Sequence, residues 1–131
     1  KGNPFGHLVL RGGASKPNYD ADSIASAEKK LRNAKLSEYL LVDCSHANSG
    51  KKFDNQIKVW DDILAQKERG NRSIAGVMIE SNICSGNQNF PVDPGSLKYG
   101  VSITDECVSW EQTEKMLRDG AGFMKQVRSK A

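Results

Sequence analysis

Three short apolar runs, each closed by a polar residue able to do chemistry, constrain this chain more than any other feature. They are Leu8-Val9-Leu10 before Arg11, Leu40-Leu41-Val42 before Asp43-Cys44-Ser45-His46, and Ile74-Ala75-Gly76-Val77-Met78-Ile79 before Glu80. Equivalent points in them, Leu8, Leu41 and Gly76, lie 33 and 35 residues apart, the length of a strand, a helix and their turns. Continuous apolar runs of this kind read as strands buried on both faces, at 7–10, 39–44 and 74–80. Strands separated by helix-length segments imply a parallel α/β arrangement with right-handed crossovers.

The segments between the runs carry helical signals. Ile24, Ala27, Leu31 and Ala34 recur at spacings that mark one face of a helix over 21–34, and Asp20 and Asp22 sit where its dipole favours negative charge. Phe53, Ile57, Trp60 and Leu64 do the same over 52–69, with Gly70 as a stop. Ser81 to Thr104 contains two prolines and Gly86-Asn87-Gln88-Asn89; a connection this long is more often functional than passive. Tyr99 to Ile103 reads as a short extended piece within it. The last helix begins near Trp110, with Ser109 and Gln112 as a capping box and Leu117, Ala121, Met124 and Val127 on its apolar side. Gly120 and Gly122 predict a bend or break there, and residues 128–131 are expected to fray. Three strand–helix units make either a small open α/β sandwich or a piece of a (β/α)8 barrel, which uses eight such units and typically ~250 residues. Periodicity leaves both open.

With 131 residues the chain is the size of one domain, and no boundary divides it. It has 19 basic and 16 acidic residues, interspersed, so no nucleic-acid footprint is expected. No apolar stretch approaches the ~18 residues of a membrane helix, so no membrane association is expected. The opening Lys1-Gly2-Asn3 reads as a segment entered midway. Three cysteines, Cys44, Cys84 and Cys107, without short pair spacing argue against a disulfide framework and for a reducing, cytoplasmic setting.

In a parallel α/β protein, ligands bind at the carboxyl ends of the strands. Arg11, His46 and Glu80 sit there, and Asp105, after the long loop, can fold back to the same end. One imidazole and two carboxylates suit a first-row divalent ion: manganese, iron, cobalt or zinc. Their separations of 34 and 25 residues fix no local geometry, so a loop-tip histidine, a solvated strand end and a helix-start carboxylate stay open as readings. Arg11 beside Gly12-Gly13 can clamp a phosphate or carboxylate, or be a surface arginine in a turn. Cys44 reads as a core thiol and Ser45 as no nucleophile, for no base is suitably placed. Trp60 and Trp110 read as packing residues.

Taken in order, Leu10-Arg11-Gly12-Gly13, Asn18-Tyr19-Asp20, Asp43-Cys44-Ser45-His46-Ala47-Asn48-Ser49, Gly76-Val77-Met78-Ile79-Glu80-Ser81-Asn82, Gly86-Asn87-Gln88 and Tyr99-Gly100-Val101-Ser102-Ile103-Thr104-Asp105 resemble the type I 3-deoxy-D-arabino-heptulosonate 7-phosphate (DAHP) synthases. The resemblance runs closely from about Gly2 to Trp110. It implies that residues 1–131 are the C-terminal part of a single TIM-barrel catalytic domain, its last three βα units, with five upstream. It implies a metal-dependent enzyme that joins phosphoenolpyruvate to erythrose 4-phosphate and releases phosphate, the first step of the shikimate pathway. His46, Glu80 and Asp105 match three of four metal ligands, and Arg11 matches an arginine that holds phosphoenolpyruvate. The fourth ligand, a cysteine, belongs upstream and is matched by none of the three cysteines here. The parent is expected to be a homo-oligomer, and this chain alone to be inactive without its missing N-terminal barrel half. The alternative is a non-catalytic α/β fragment that self-associates or complements that half. Ser85, and Glu106 to Ser109, depart from the family's usual pattern.

Overall fold

In the computed structural model, which describes residues 2–3, 5–91 and 93–129, β1 (Leu8–Leu10), β2 (Leu40–Asp43) and β3 (Ile74–Met78) form one parallel sheet in the order β1-β2-β3. Leu10, Leu40, Val42 and Ile74 turn into a core built with Ile24 and Ala27 of α1 (Ala21–Asn33) and with Val59, Trp60 and Ile63 of α2 (Phe53–Glu68). Burial on both sheet faces, expected from the unbroken apolar runs, holds on one face only. Val9, Leu41 and Gly76 lie side by side in register, and Val9 is 45 % exposed.

Asp20 starts α1 from an extended backbone, and its carboxylate accepts from the Ser23 N–H at 2.9 Å and from its hydroxyl at 2.7 Å. These bonds, the hydroxyl's first, hold the Asp20 carboxyl below the usual carboxylate range. Asp20→Ala is expected to cost about 1 kcal/mol, as for other lost N-caps. Because the folded value is depressed, this contribution is fully present above the unfolded value of about 3.9 and fades as pH falls through the folded one. Urea titrations of both proteins across the acid range should show the two stabilities converging.

The buried face of α2 is Gln56, Val59, Trp60, Ile63 and Gln66. The predicted stripe of Phe53, Ile57, Trp60 and Leu64 is its flank, with only Trp60 buried. Lys52 at the start of α2 makes no side-chain cap; Glu106 supplies one from a distance, accepting from the Phe53 N–H at 3.2 Å and pairing with Lys52 Nζ at 2.9 Å. The Lys52 contact, then the Phe53 N–H, lowers the Glu106 carboxyl below its ordinary range.

Past β3 the chain continues through Ile79 and Glu80 into β4 (Ser81–Asn82), which pairs in parallel with β5 (Val108–Ser109). This pair is a second, two-stranded sheet separate from β1-β2-β3, one that two residues per strand were too few to announce. Between them the long connection holds a 3-10 turn at Pro94–Ser96, and Gln88 pins it by bonding Lys98 and Val101. The extended piece expected over Tyr99 to Ile103 reduces to a single bridge between Asn87 and Ser102.

Helix α3 (Trp110–Ser129) follows, with Ser109 Oγ accepting from the Gln112 N–H at 3.2 Å, the serine half of the predicted capping box. It runs unbroken through Gly120 and Gly122. Gly120 serves close packing instead: a Cβ there would lie 2.5 Å from Trp60 Cζ2, so only glycine lets the helix backbone approach the indole. The buried residues of α3 are Thr113, Met116 and Gly120, while Leu117 is 48 % exposed and Trp110, expected to pack, is 58 % exposed. Arg128 and Ser129 are still helical; Lys130 and Ala131, also expected to fray, lie outside the described residues. No helix among the described residues is long and apolar enough to cross a membrane.

Candidate metal centre

The tip of β2 is built from buried polar groups that satisfy one another. Asn48, 4 % exposed, donates through Nδ2 to the Leu10 carbonyl at 3.0 Å and the Asp43 carbonyl at 2.8 Å, tying the ends of β1 and β2 together. Its Oδ1 accepts from the Asn18 N–H, and Asn18 Oδ1 accepts from the Gly12 N–H, each at 2.8 Å. Asp43, 2 % exposed, accepts the Ser45 N–H on Oδ1 at 2.8 Å and contacts His46 Nδ1 through Oδ2 at 2.6 Å. His46 itself sits in the left-handed region at φ 45°, a conformation uncommon for a residue with a side chain and concentrated at functional sites.

With Nδ1 turned to Asp43, His46 Nε2 faces two carboxylates: Asp105 Oδ2 at 3.4 Å and Glu80 Oε1 at 3.7 Å. One ligand atom from each of the three residues lies within 4.8 Å of the others. Glu80 is held by its backbone. The fully buried Gln56 accepts the Glu80 N–H on Oε1 at 2.9 Å and donates from Nε2 to the Glu80 carbonyl at 3.2 Å and the Glu106 carbonyl at 3.4 Å. Asp105 arrives on the return of the long loop, where Asn87 Nδ2 donates to the neighbouring Thr104 carbonyl at 2.9 Å. The structure therefore brings together three of the four predicted site residues. Arg11 stands at the rim, its side chain 61 % exposed and its Nε 3.9 Å from Asp43 Oδ2, free to meet a ligand.

Cys44 is fully buried, and burial, with Asp43 adding to it, pushes its thiol up to about 12. It is no nucleophile. Burial likewise raises Cys107. Asp43, Asn48 and Gln56 hold the candidate site together and were not singled out one by one in the sequence. Asp43 and Asn48 lie within the motif around His46; Gln56 carried no signal. Chemically, a neutral imidazole nitrogen and two carboxylate oxygens offer lone pairs to one point, and a cation resolves their mutual repulsion. A mixed nitrogen-and-oxygen set of this kind fits a first-row divalent ion, and three donors leave room for further ligands.

A parallel α/β sheet, with a cluster able to hold a cation formed by residues after β2 and β3 and by a returning loop, defines the class of protein. The chain belongs to the DAHP synthetase I family, whose family model matches residues 1–118. It is 50 % identical over 119 residues to the Tyr-sensitive phospho-2-dehydro-3-deoxyheptonate aldolase of Salmonella typhimurium, covering 91 % of this chain and 33 % of that protein. It is 52 % identical over 122 residues to the tyrosine-inhibited phospho-2-dehydro-3-deoxyheptonate aldolase of Schizosaccharomyces pombe, with the same coverage. The solved phospho-2-dehydro-3-deoxyheptonate aldolase of Francisella tularensis SCHU S4 matches it with a TM-score of 0.89 at 45 % identity, over 97 % of this chain and 36 % of that one. The chain thus spans about a third of the length of these three relatives.

Proposed function

We propose that residues 1–131 form the C-terminal part of a (β/α)8-barrel DAHP synthase, a cytoplasmic, homo-oligomeric enzyme of aromatic amino acid biosynthesis that condenses phosphoenolpyruvate with erythrose 4-phosphate. The observation that carries this reading is the convergence of His46 after β2, Glu80 after β3 and Asp105 from the long loop before β5. Through Nε2 and two carboxylate oxygens these residues would hold a divalent ion. When bound, that ion supplies Lewis-acid polarisation of the aldehyde oxygen of the acceptor sugar. Arg11, exposed at the rim of the same strand ends, would bind the phosphate or carboxylate of phosphoenolpyruvate bidentately. The half-open sheet face around Val9 supports a larger barrel, since an apolar face of this kind packs against further strands. The remaining metal ligand and most phosphate-binding groups belong to that larger part.

The isolated chain is therefore expected to release no phosphate from phosphoenolpyruvate when both substrates and manganese are supplied. Assayed beside His46→Ala, it should give the same background rate. Turnover well above that control would sink the assignment of essential groups to the rest of the barrel.

A further inference from the structure

We infer that Asp43 is a positioning residue for the candidate metal centre: its carboxylate fixes which nitrogen of His46 faces the ion. This rests on the reading of His46, Glu80 and Asp105 as metal ligands. The two oxygens of Asp43 divide their work. Oδ1 accepts the Ser45 N–H at 2.8 Å, which is all that a local Asx turn requires. Oδ2 is surplus to that turn, and it makes the shorter contact, 2.6 Å, to His46 Nδ1. A carboxylate only accepts, so Nδ1 must carry the proton. In the neutral ring the lone pair then lies on Nε2, the nitrogen directed at Asp105 and Glu80.

The competing claim on Oδ2 is weaker. Arg11 Nε lies 3.9 Å away, outside hydrogen-bond distance, on a side chain 61 % exposed, whereas the Asp43 side chain is 3 % exposed. The bond to His46 is thus the short, desolvated one. It has the form of a carboxylate–histidine pair behind a metal, in which the outer carboxylate orients the ring and raises its basicity as a ligand. Asparagine at this position is nearly isosteric yet cannot serve both partners. An amide turned to accept from Nδ1 presents its NH2 to the Ser45 N–H. Turned the other way, it donates to Nδ1 and moves the ring proton to Nε2.

The test uses zinc, which is diamagnetic and fits the same donors. Nitrogen-15 NMR of the zinc-loaded 131-residue chain should show His46 bound through Nε2 with the proton retained on Nδ1. Asp43→Asn, with its fold verified by circular dichroism, should weaken zinc binding by about 10-fold to 100-fold in a competition titration. Zinc on Nδ1 in the unsubstituted chain, or equal affinity in the variant, would overturn the inference. The NMR arm needs no variant and holds even where Asp43→Asn fails to fold. Should the unsubstituted chain take up no zinc, the metal reading itself falls. The metal-free spectrum then decides separately about Asp43: a protected, slowly exchanging Nδ1–H on His46 supports the contact, and its absence overturns it.

Discussion

Gly12→Ala is expected to destabilise the chain by about 3 kcal/mol and to weaken metal binding, although residue 12 contacts no ligand atom. Two costs combine. Gly12 has φ 89°, and a Cβ in the left-handed region costs roughly 1–2 kcal/mol. The added methyl carbon would also lie 2.5 Å from Ala47 Cβ, 2.7 Å from the Ala47 carbonyl carbon and 2.7 Å from the Asn48 nitrogen. Two of these are backbone atoms of the loop that carries His46, so no side-chain rotation relieves the overlap, and overpacking of this kind costs roughly 1–3 kcal/mol. Gly50 provides the control. It also has a positive φ, 62°, but a Cβ there would have nothing within 4 Å. Gly50→Ala should therefore show the backbone cost alone, and zinc affinity should stay unchanged. Urea unfolding and zinc titration of the two variants separate the terms. Equal losses would mean that the contact between the β1 turn and the β2 tip carries no weight.

Those two turns meet because Gly12, Asn18 and Asn48 are linked by hydrogen bonds, and this shows where the sequence is readable and where it is not. His46 and Glu80 were legible because an apolar run must stop at a strand end, and in parallel α/β chains that end is where ligands bind. Asp105 was legible only as a residue able to fold back, since its position depends on a loop whose path is set by Gln88 and Asn87. Gln56 was invisible for a different reason. A periodicity count treats glutamine as a solvent-facing residue, so the apparent stripe of α2 rotated toward Ile57 and Leu64. In the folded chain the most buried residue of that helix is the glutamine itself, at 0 % exposure, its amide satisfied by the Glu80 N–H and by the Glu80 and Glu106 carbonyls. The same bias hid Thr113 and Gly120 on α3. Thr113 is buried yet bonds the Ser109 carbonyl at 2.9 Å, and Gly120 is buried because it has no side chain. Glu106 caps α2 from 53 residues away, which no local pattern announces, while Ser109 caps α3 from the position that the local signal marks.

Gln56→Glu is expected to have the largest effect of all, and one with a distinctive pH dependence. Gln56 both accepts from the Glu80 N–H and donates toward the Glu80 and Glu106 carbonyls. Leucine removes all three bonds. The Glu80 carbonyl keeps the Val108 N–H at 2.9 Å, so the main loss is the orphaned Glu80 N–H, about 2 kcal/mol. Glutamate keeps the acceptor but turns a second oxygen against two carbonyl oxygens. Ionised, it is a buried charge facing lone pairs, which costs about 3 kcal/mol or more. Protonated, its O–H can donate to one of those carbonyls, and most of the native pattern returns. Burial and the facing carbonyls therefore raise the folded pKa of this introduced carboxyl. Relative to the unsubstituted chain, the variant's stability is retained below the unfolded value of about 4.3 and lost as pH rises through the folded one. Near neutrality the order of stability should be Gln56, then Leu, then Glu; in mild acid Glu should overtake Leu. Urea titrations at the two pH values decide this. A glutamate variant that stays above leucine at neutral pH would show that the side chain at 56 is free to leave the strand ends, and Glu80 would then have lost the restraint that holds it opposite His46.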